Sequence, residues 1–246
     1  MTEEAIPAAT LILVRNCAAG APQLLMVERA ADMAFAAGAW VFPGGRIDAA
    51  DARLGEQLGV PAAAVAAVRE TIEETAVPAG LLPAPGREQA LGLQKALVGG
   101  AEFEALLGAH QLAIEAAALT PLARWVPQFH AVRRFDTLFY VAQAPAGDWQ
   151  PHVIAGECAG AAWLGAAELL ERDRRGEARL IFPTRRTLER LALHDSFEEI
   201  RADAAAHPIE PITPWVEQRD AEKFITIPAH LGFPVTEERL DGLWRG

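Results

Sequence analysis

One stretch, residues 65–77 (V-A-A-V-R-E-T-I-E-E-T-A-V), limits what this chain can fold into more than any other. Glu70, Glu73 and Glu74 stand at i, i+3 and i+4, a spacing that puts three carboxylates on one face of a helix. Like charges this close repel one another, and folding alone does not call for them. A hard divalent cation such as Mg²⁺ or Mn²⁺ does, because it takes carboxylate oxygens and keeps positions for phosphate and water. A solvated acidic helix face is the competing reading, and the helix by itself does not separate the two.

The upstream chain bears on that choice. Residues 8–14 (A-A-T-L-I-L-V) form a β-rich apolar run, Gly20-Ala21-Pro22 a turn, and residues 23–28 (Q-L-L-M-V-E) a returning strand. Arg29 follows at the strand end, where it either points into a site or lies in a surface loop. Trp40-Val41-Phe42 reads as a short strand ended by Pro43, and Gly44-Gly45 permit a sharp turn that lets backbone approach a ligand. Residues 52–64 read as loop and helix start, with Pro61 suited to a first helical turn. The helix carrying the glutamates runs over about 62–76 and is stopped by Pro78 and Gly80.

Downstream, residues 87–119 are Ala/Leu-rich with helical spacing and predict two or three helices, broken at Gly99-Gly100 and near Gly108. Residues 121–127 read as a punctuated link containing Trp125. The run R-R-F-D-T-L-F-Y-V-A at 133–142 predicts a strand, and its Arg133 and Arg134 either face solvent or meet anions. A further strand is expected over 153–164, then helices over 166–174, from Pro183 with Leu188, Leu191 and Leu193 on its apolar face, and over 197–206. The Pro-rich end carries an apolar strand at 224–227. No repeat or low-complexity linker divides the chain, which predicts one domain over residues 1–246.

Taken together, Gly45, Asp51 and R-E-T-I-E-E-T-A-V at 69–77 resemble the signature of the Nudix hydrolases, G-x5-E-x7-R-E-U-x-E-E-x-G-U, where U is apolar. Asp51 stands where the family has Glu, Thr71 at an apolar position and Ala76 at the helix-ending glycine. Arg69 follows Asp51 by eighteen residues instead of eight, so the loop between them is about ten residues longer. Three segments, A-F-A-A-G-A-W-V-F-P-G-G-R-I-D-A-A-D, R-R-F-D-T-L-F and E-C-A-G-A-A-W-L, are similar to the branch that includes the peroxisomal acyl-coenzyme A diphosphatases. The resemblance implies an α+β fold, an α/β/α sandwich with a mixed sheet between helices. It would carry a helical insertion at about 87–119 and a C-terminal helical extension at about 183–246.

The same resemblance implies metal-dependent hydrolysis of a diphosphate linkage, of coenzyme A or its acyl esters, with Mg²⁺ or Mn²⁺ as cofactor. Another nucleoside diphosphate derivative is the alternative substrate, and a catalytically silent ligand-binding module the alternative function. Glu70, Glu73 and Glu74 are then the metal-binding and catalytic set. Arg69 orients them, chiefly through Glu73 at i+4. Glu157, six residues before Trp163, is a further candidate metal ligand, and Arg29, Gly44, Gly45, Arg133 and Arg134 are candidates for substrate binding. The histidines show no metal-ligand spacing.

Charge and composition narrow the partners. A formal net charge of −11 without a Lys/Arg run argues against a nucleic-acid-binding surface, though not against a small anion neutralised by metal and arginine. Cys17 and Cys158 are far apart; they read as two reduced thiols, with a single disulfide as the alternative. With no signal-peptide core and no apolar run long enough to span a bilayer, the expected setting is cytoplasmic, and a homodimer is compatible with such a fold.

Overall fold

A computed structural model describes residues 5–31, 36–127, 134–156, 158–220 and 222–240. In chain order its strands and helices are β1 (Ile6–Arg15), β2 (Gln23–Arg29), β3 (Trp40–Val41), β4 (Gly44–Arg46), α1 (Ala49–Leu58), α2 (Ala62–Thr75), β5 (Leu81–Leu82), α3 (Arg87–Val98), α4 (Phe103–His110), β6 (Ala113–Ile114), β7 (Thr120–Trp125), β8 (Phe135–Gln143), β9 (Cys158–Gly165), α5 (Ala166–Arg174), α6 (Phe182–Leu191), α7 (Phe197–Ala206), β10 (Pro211–Ile212), β11 (Trp215–Arg219), β12 (Glu222–Thr226) and β13 (Glu237–Arg239).

The main sheet is mixed, in the order β10-β7-β8-β1-β2-β3, with β4 also paired to β1 and β9 to β2. At its centre β1 and β8 run parallel along their whole length, from Ile6 opposite Phe135 to Val14 opposite Gln143. A strand covered on both faces reads as a continuous apolar run, which is why residues 8–14 do not alternate. Their side chains nonetheless divide by parity. Leu11 and Leu13 join a core with Leu25, Trp163 and the apolar side of α2, α3 and α4. Ile12 and Val14 join a second core with Leu24, Met26, Trp125 and residues of α5, α6 and α7. Helices therefore cover both faces of a mixed sheet, the α+β sandwich expected. Among the described residues no helix is long and apolar enough to cross a membrane.

Four local readings change. Residues 49–58 form the helix α1, which runs into the 52–64 stretch read as loop and helix start. Only Asp51, Leu54 and Gly55 of it are buried, so its apolar face is too thin to read. The supposed link at 121–127 is largely strand β7. Pro121 fits there because the β7–β8 register shifts between Pro121 and Ala123, so its missing N–H breaks no ladder. Leu193 lies past the end of α6 and is exposed, not part of that helix's apolar face. The C-terminal extension is only partly helical, since it ends in a three-stranded sheet, β11-β12-β13.

Candidate active site

The glutamates project from α2, and the helix is built to be held from below. Its buried face carries Val65, Val68 and Ile72 against β1. Thr71 occupies an apolar position without penalty because its hydroxyl donates to the Ala67 carbonyl at 2.7 Å. Thr75 does the same to Thr71 at 2.6 Å. At the helix end Ala76 takes φ 54°, ψ 20°, a left-handed conformation, and its N–H donates to the Ile72 carbonyl. The chain thus closes with an alanine the kind of cap that favours glycine.

Beneath the acidic face runs the Gly44-Gly45 turn, which β4 pairs to β1. The Gly44 N–H donates to Glu74 Oε2 at 3.0 Å. A Cβ on Gly45 would sit 2.4 Å from the Glu70 carboxyl, so only glycine leaves room for that side chain against the backbone. The two glycines and Glu70 and Glu74 therefore form one contiguous surface.

Arg69 locks the other side. Its Nε and Nη2 donate to Asp51 Oδ1 and Oδ2 at 2.9 and 2.8 Å. Nη2 also donates to the Arg46 carbonyl at 3.0 Å, and Nη1 to Glu70 Oε1 at 2.9 Å and Glu73 Oε2 at 3.3 Å. All five guanidinium N–H groups are used. The principal partner is thus Asp51, not Glu73, because a carboxylate facing the fork can accept two parallel bonds and an i+4 glutamate here reaches only one. Asp51 is 1% exposed and also accepts the Asp48 N–H at 2.9 Å, so it organises α1 and Arg69 and does not join the glutamate cluster. The ten additional residues are α1 and its turn, which swing this acid back onto the arginine.

The electrostatics of the cluster are strained. Burial pushes the Glu70 carboxyl up to about 7, with Arg69 holding it down and Glu73 and Asp51 pushing it further. Burial pushes the Glu74 carboxyl up to about 8, the charge of Glu70 adding to the effect. The Gly44 N–H, the Arg29 charge and the Cys158 thiol pull it back. Burial works against the Arg69 guanidinium, yet Asp51 and Glu70 outweigh it and raise its pKa. Two half-buried carboxyls with this much residual repulsion are suited to share a proton or a cation.

Of the other expected site residues, Arg29 stands at the end of β2 within electrostatic reach of Glu74. Arg134 precedes β8, where its carbonyl accepts the Ile6 N–H at 2.7 Å. Arg133 and Glu157 lie outside the described residues. Asp136, from the R-R-F-D-T run, takes Arg124 fork to fork at 2.7 and 2.6 Å. Among the described residues no three His, Cys, Asp or Glu side chains form a ready-made metal cage. Those that could hold a divalent cation are Glu70 and Glu74, with Glu73 beside them on the same helix. They fit such an ion by donor chemistry: clustered hard oxygens, half-buried, with carboxylates outnumbering the arginines beside them.

Three residues were given no site role by the sequence: Cys158, Gln94 and His152. Cys158 places Sγ 3.6 Å from Glu74 Oε1. Gln94 of α3, fully buried, donates to the Glu73 carbonyl at 3.1 Å and the His152 carbonyl at 2.7 Å, while His152 Nδ1 donates to Gln94 Oε1 at 2.7 Å. The His152 N–H in turn donates to the Thr75 carbonyl at 2.8 Å. The insertion and the loop before β9 are thereby tied to the last turn of α2.

The fold has counterparts among known proteins. Residues 5–95 match the model of the NUDIX domain. No match is found among curated protein sequences. The fold is similar to that of a NUDIX hydrolase from Alicyclobacillus acidocaldarius, with a TM-score of 0.70 and 28% identity over 82% of this chain and 97% of that one. A weaker likeness, with a TM-score of 0.46 and 16% identity over 76% and 86% of the two chains, is to the NUDIX domain of Shewanella oneidensis NrtR in complex with ADP ribose. Residues 5–95 thus match the NUDIX domain, within a chain whose fold is similar to that of a NUDIX hydrolase.

Proposed function

We propose that this chain is a metal-dependent diphosphatase acting on coenzyme A or its acyl esters, releasing 3′,5′-ADP and a phosphopantetheine. The observation that carries the reaction class is the pair of half-buried, mutually repelling carboxyls of Glu70 and Glu74 set on the Gly44-Gly45 turn. The choice of coenzyme A is supported by the sequence resemblance of residues 34–51, 133–139 and 157–164 to the acyl-coenzyme A diphosphatase branch.

A diphosphate repels any anionic nucleophile, and a bound Mg²⁺ or Mn²⁺ supplies the neutralising charge and lowers the pKa of water. Glu70 and Glu74 would hold the ion, with Glu73 and Glu157 as further candidate ligands. Arg69, saturated by Asp51, Glu70, Glu73 and the Arg46 carbonyl, keeps the glutamates from swinging away. One of the glutamates accepts the proton as water attacks phosphorus and the P–O–P bridge breaks, leaving two phosphate monoesters. Arg29, Arg133 and Arg134 are assigned to the substrate phosphates.

The test is incubation of the purified protein with Mg²⁺ or Mn²⁺ and a panel of diphosphates. Cleavage of coenzyme A is expected; ADP-ribose cleaved while coenzyme A stays intact overturns the substrate assignment. Glu74→Gln should lower turnover at least about a hundredfold while the metal-free thermal transition at pH 5, where Glu74 is protonated, stays near wild type. Full activity in that variant would remove Glu74 from the site.

A further inference from the structure

Resting on the reading that Glu74 is a cation ligand, we propose that Cys158 is a positioning residue whose thiol fixes the Glu74 carboxylate. The argument begins with strand register. Between β2 and β9, Leu25 faces Trp163 and Val27 faces Ala161. Leu25 and Trp163 lie in the core beneath α2, whereas Leu24 and Leu164 pack in the opposite core. Strict continuation would set Ala159 opposite Arg29 and leave Cys158 on the face away from α2.

The pairing does not continue. The register shifts between Glu28 and Arg29, and Cys158 stands opposite Arg29. One additional residue in a strand turns everything beyond it to the other face. Cys158 is thereby moved to the α2 side, buried, with Sγ 3.6 Å from Glu74 Oε1. Its cross-strand partner Arg29 acts electrostatically on the same glutamate.

The consequence is a carboxylate held at both oxygens from two different strands. Gly44 of β4 donates to Oε2 and Cys158 of β9 donates to Oε1. An ionised carboxylate has about four acceptor positions, so one donor on each oxygen fixes its plane and leaves positions for a cation. Neither Cys158 nor Cys17 is in a disulfide, so the thiol hydrogen is present to donate.

Donation and simple space filling are separated by substitution. Cys158→Ala and Cys158→Val remove the donor, and Cys158→Ser keeps it. Mn²⁺ binding is measured by calorimetry without substrate, and kcat and KM for coenzyme A separately. The Ala and Val variants should bind Mn²⁺ about tenfold more weakly and lose about tenfold in kcat at unchanged KM, whereas Ser should stay within about threefold of wild type. Ala or Val at wild-type affinity, or Ser as impaired as Ala, overturns the assignment. Should the apolar variants not fold, Ser decides alone: retained Mn²⁺ affinity sustains the role and its loss ends it. A wild-type protein that binds Mn²⁺ but cleaves no diphosphate sinks the hydrolase reading, and the binding series still decides Cys158. A wild type that binds no Mn²⁺ sinks both.

Discussion

Arg69 and Asp51 meet fork to fork, with both bonds at or below 2.9 Å, and the acid is almost wholly shielded from water. The pair joins α1 to α2 across eighteen residues of sequence and sets the guanidinium that orients Glu70 and Glu73. Breaking one partner of a buried pair leaves the other charge uncompensated. Asp51→Ala should therefore cost about 3 kcal/mol of unfolding free energy, read as a lowered urea midpoint, and reduce turnover as well. A surface-like change near zero would show that the pair does not operate as described.

Gly44 and Gly45 should separate folding from activity. A Cβ at Gly44 would meet the Ala9 carbonyl oxygen at 2.4 Å and Thr10 Cα at 2.8 Å, both backbone atoms that cannot yield cheaply. Gly44→Ala is expected to destabilise by about 2 kcal/mol. At Gly45 the obstacle is only the Glu70 carboxyl, which can swing aside. Gly45→Ala should thus melt near wild type yet lose about a hundredfold in kcat through the displaced carboxylate.

Ala76 offers a stabilising change. At φ 54° an alanine Cβ crowds the backbone, and glycine does not. Ala76→Gly should raise stability by about 1 kcal/mol in chemical denaturation and leave kcat unaltered.

The metal-free protein should lose stability as pH rises. Glu70 and Glu74 ionise near 7 and 8 when folded, against an ordinary carboxylate value of 4.5. Between those limits the folded state binds more protons than the unfolded one, so unfolding free energy falls with pH and is greatest below the unfolded value. The melting temperature should decline from pH 5 to pH 8.5 without metal, with Glu74→Gln flattening the slope. Mn²⁺ should raise it more at pH 8 than at pH 5.5. A metal-free melting temperature that climbs across this range would contradict the assignment of Glu70 and Glu74.

What the sequence made legible follows from how local each signal is. The acidic face of α2, the β1–β2 hairpin and the helix at 197–206 rest on spacing within a few residues, and they stand. The helix α1 was not visible because its buried set is an acid, a leucine and a glycine, a pattern no hydrophobic period reports. Asp51 could be located but not assigned a partner, since its contact depends on how α1 folds back. Cys158 was hidden for a different reason: strand alternation sends it away from Glu74, and a one-residue irregularity in pairing reverses that. Gln94 and His152 are joined across 58 residues by one side-chain bond and one to a main-chain carbonyl, a contact that depends on tertiary placement and leaves no local pattern.

That last network changes how the inserted helices should be regarded. Two carbonyls at the end of α2, those of Glu73 and Thr75, have their partners in Gln94 and His152. Excising residues 87–119 would leave the Glu73 carbonyl and the 144–156 loop without the amide that joins them. The insertion is therefore not a transplantable module: a chimera that borrows this α2 must import α3 with it, or redesign the turn where the acidic helix ends.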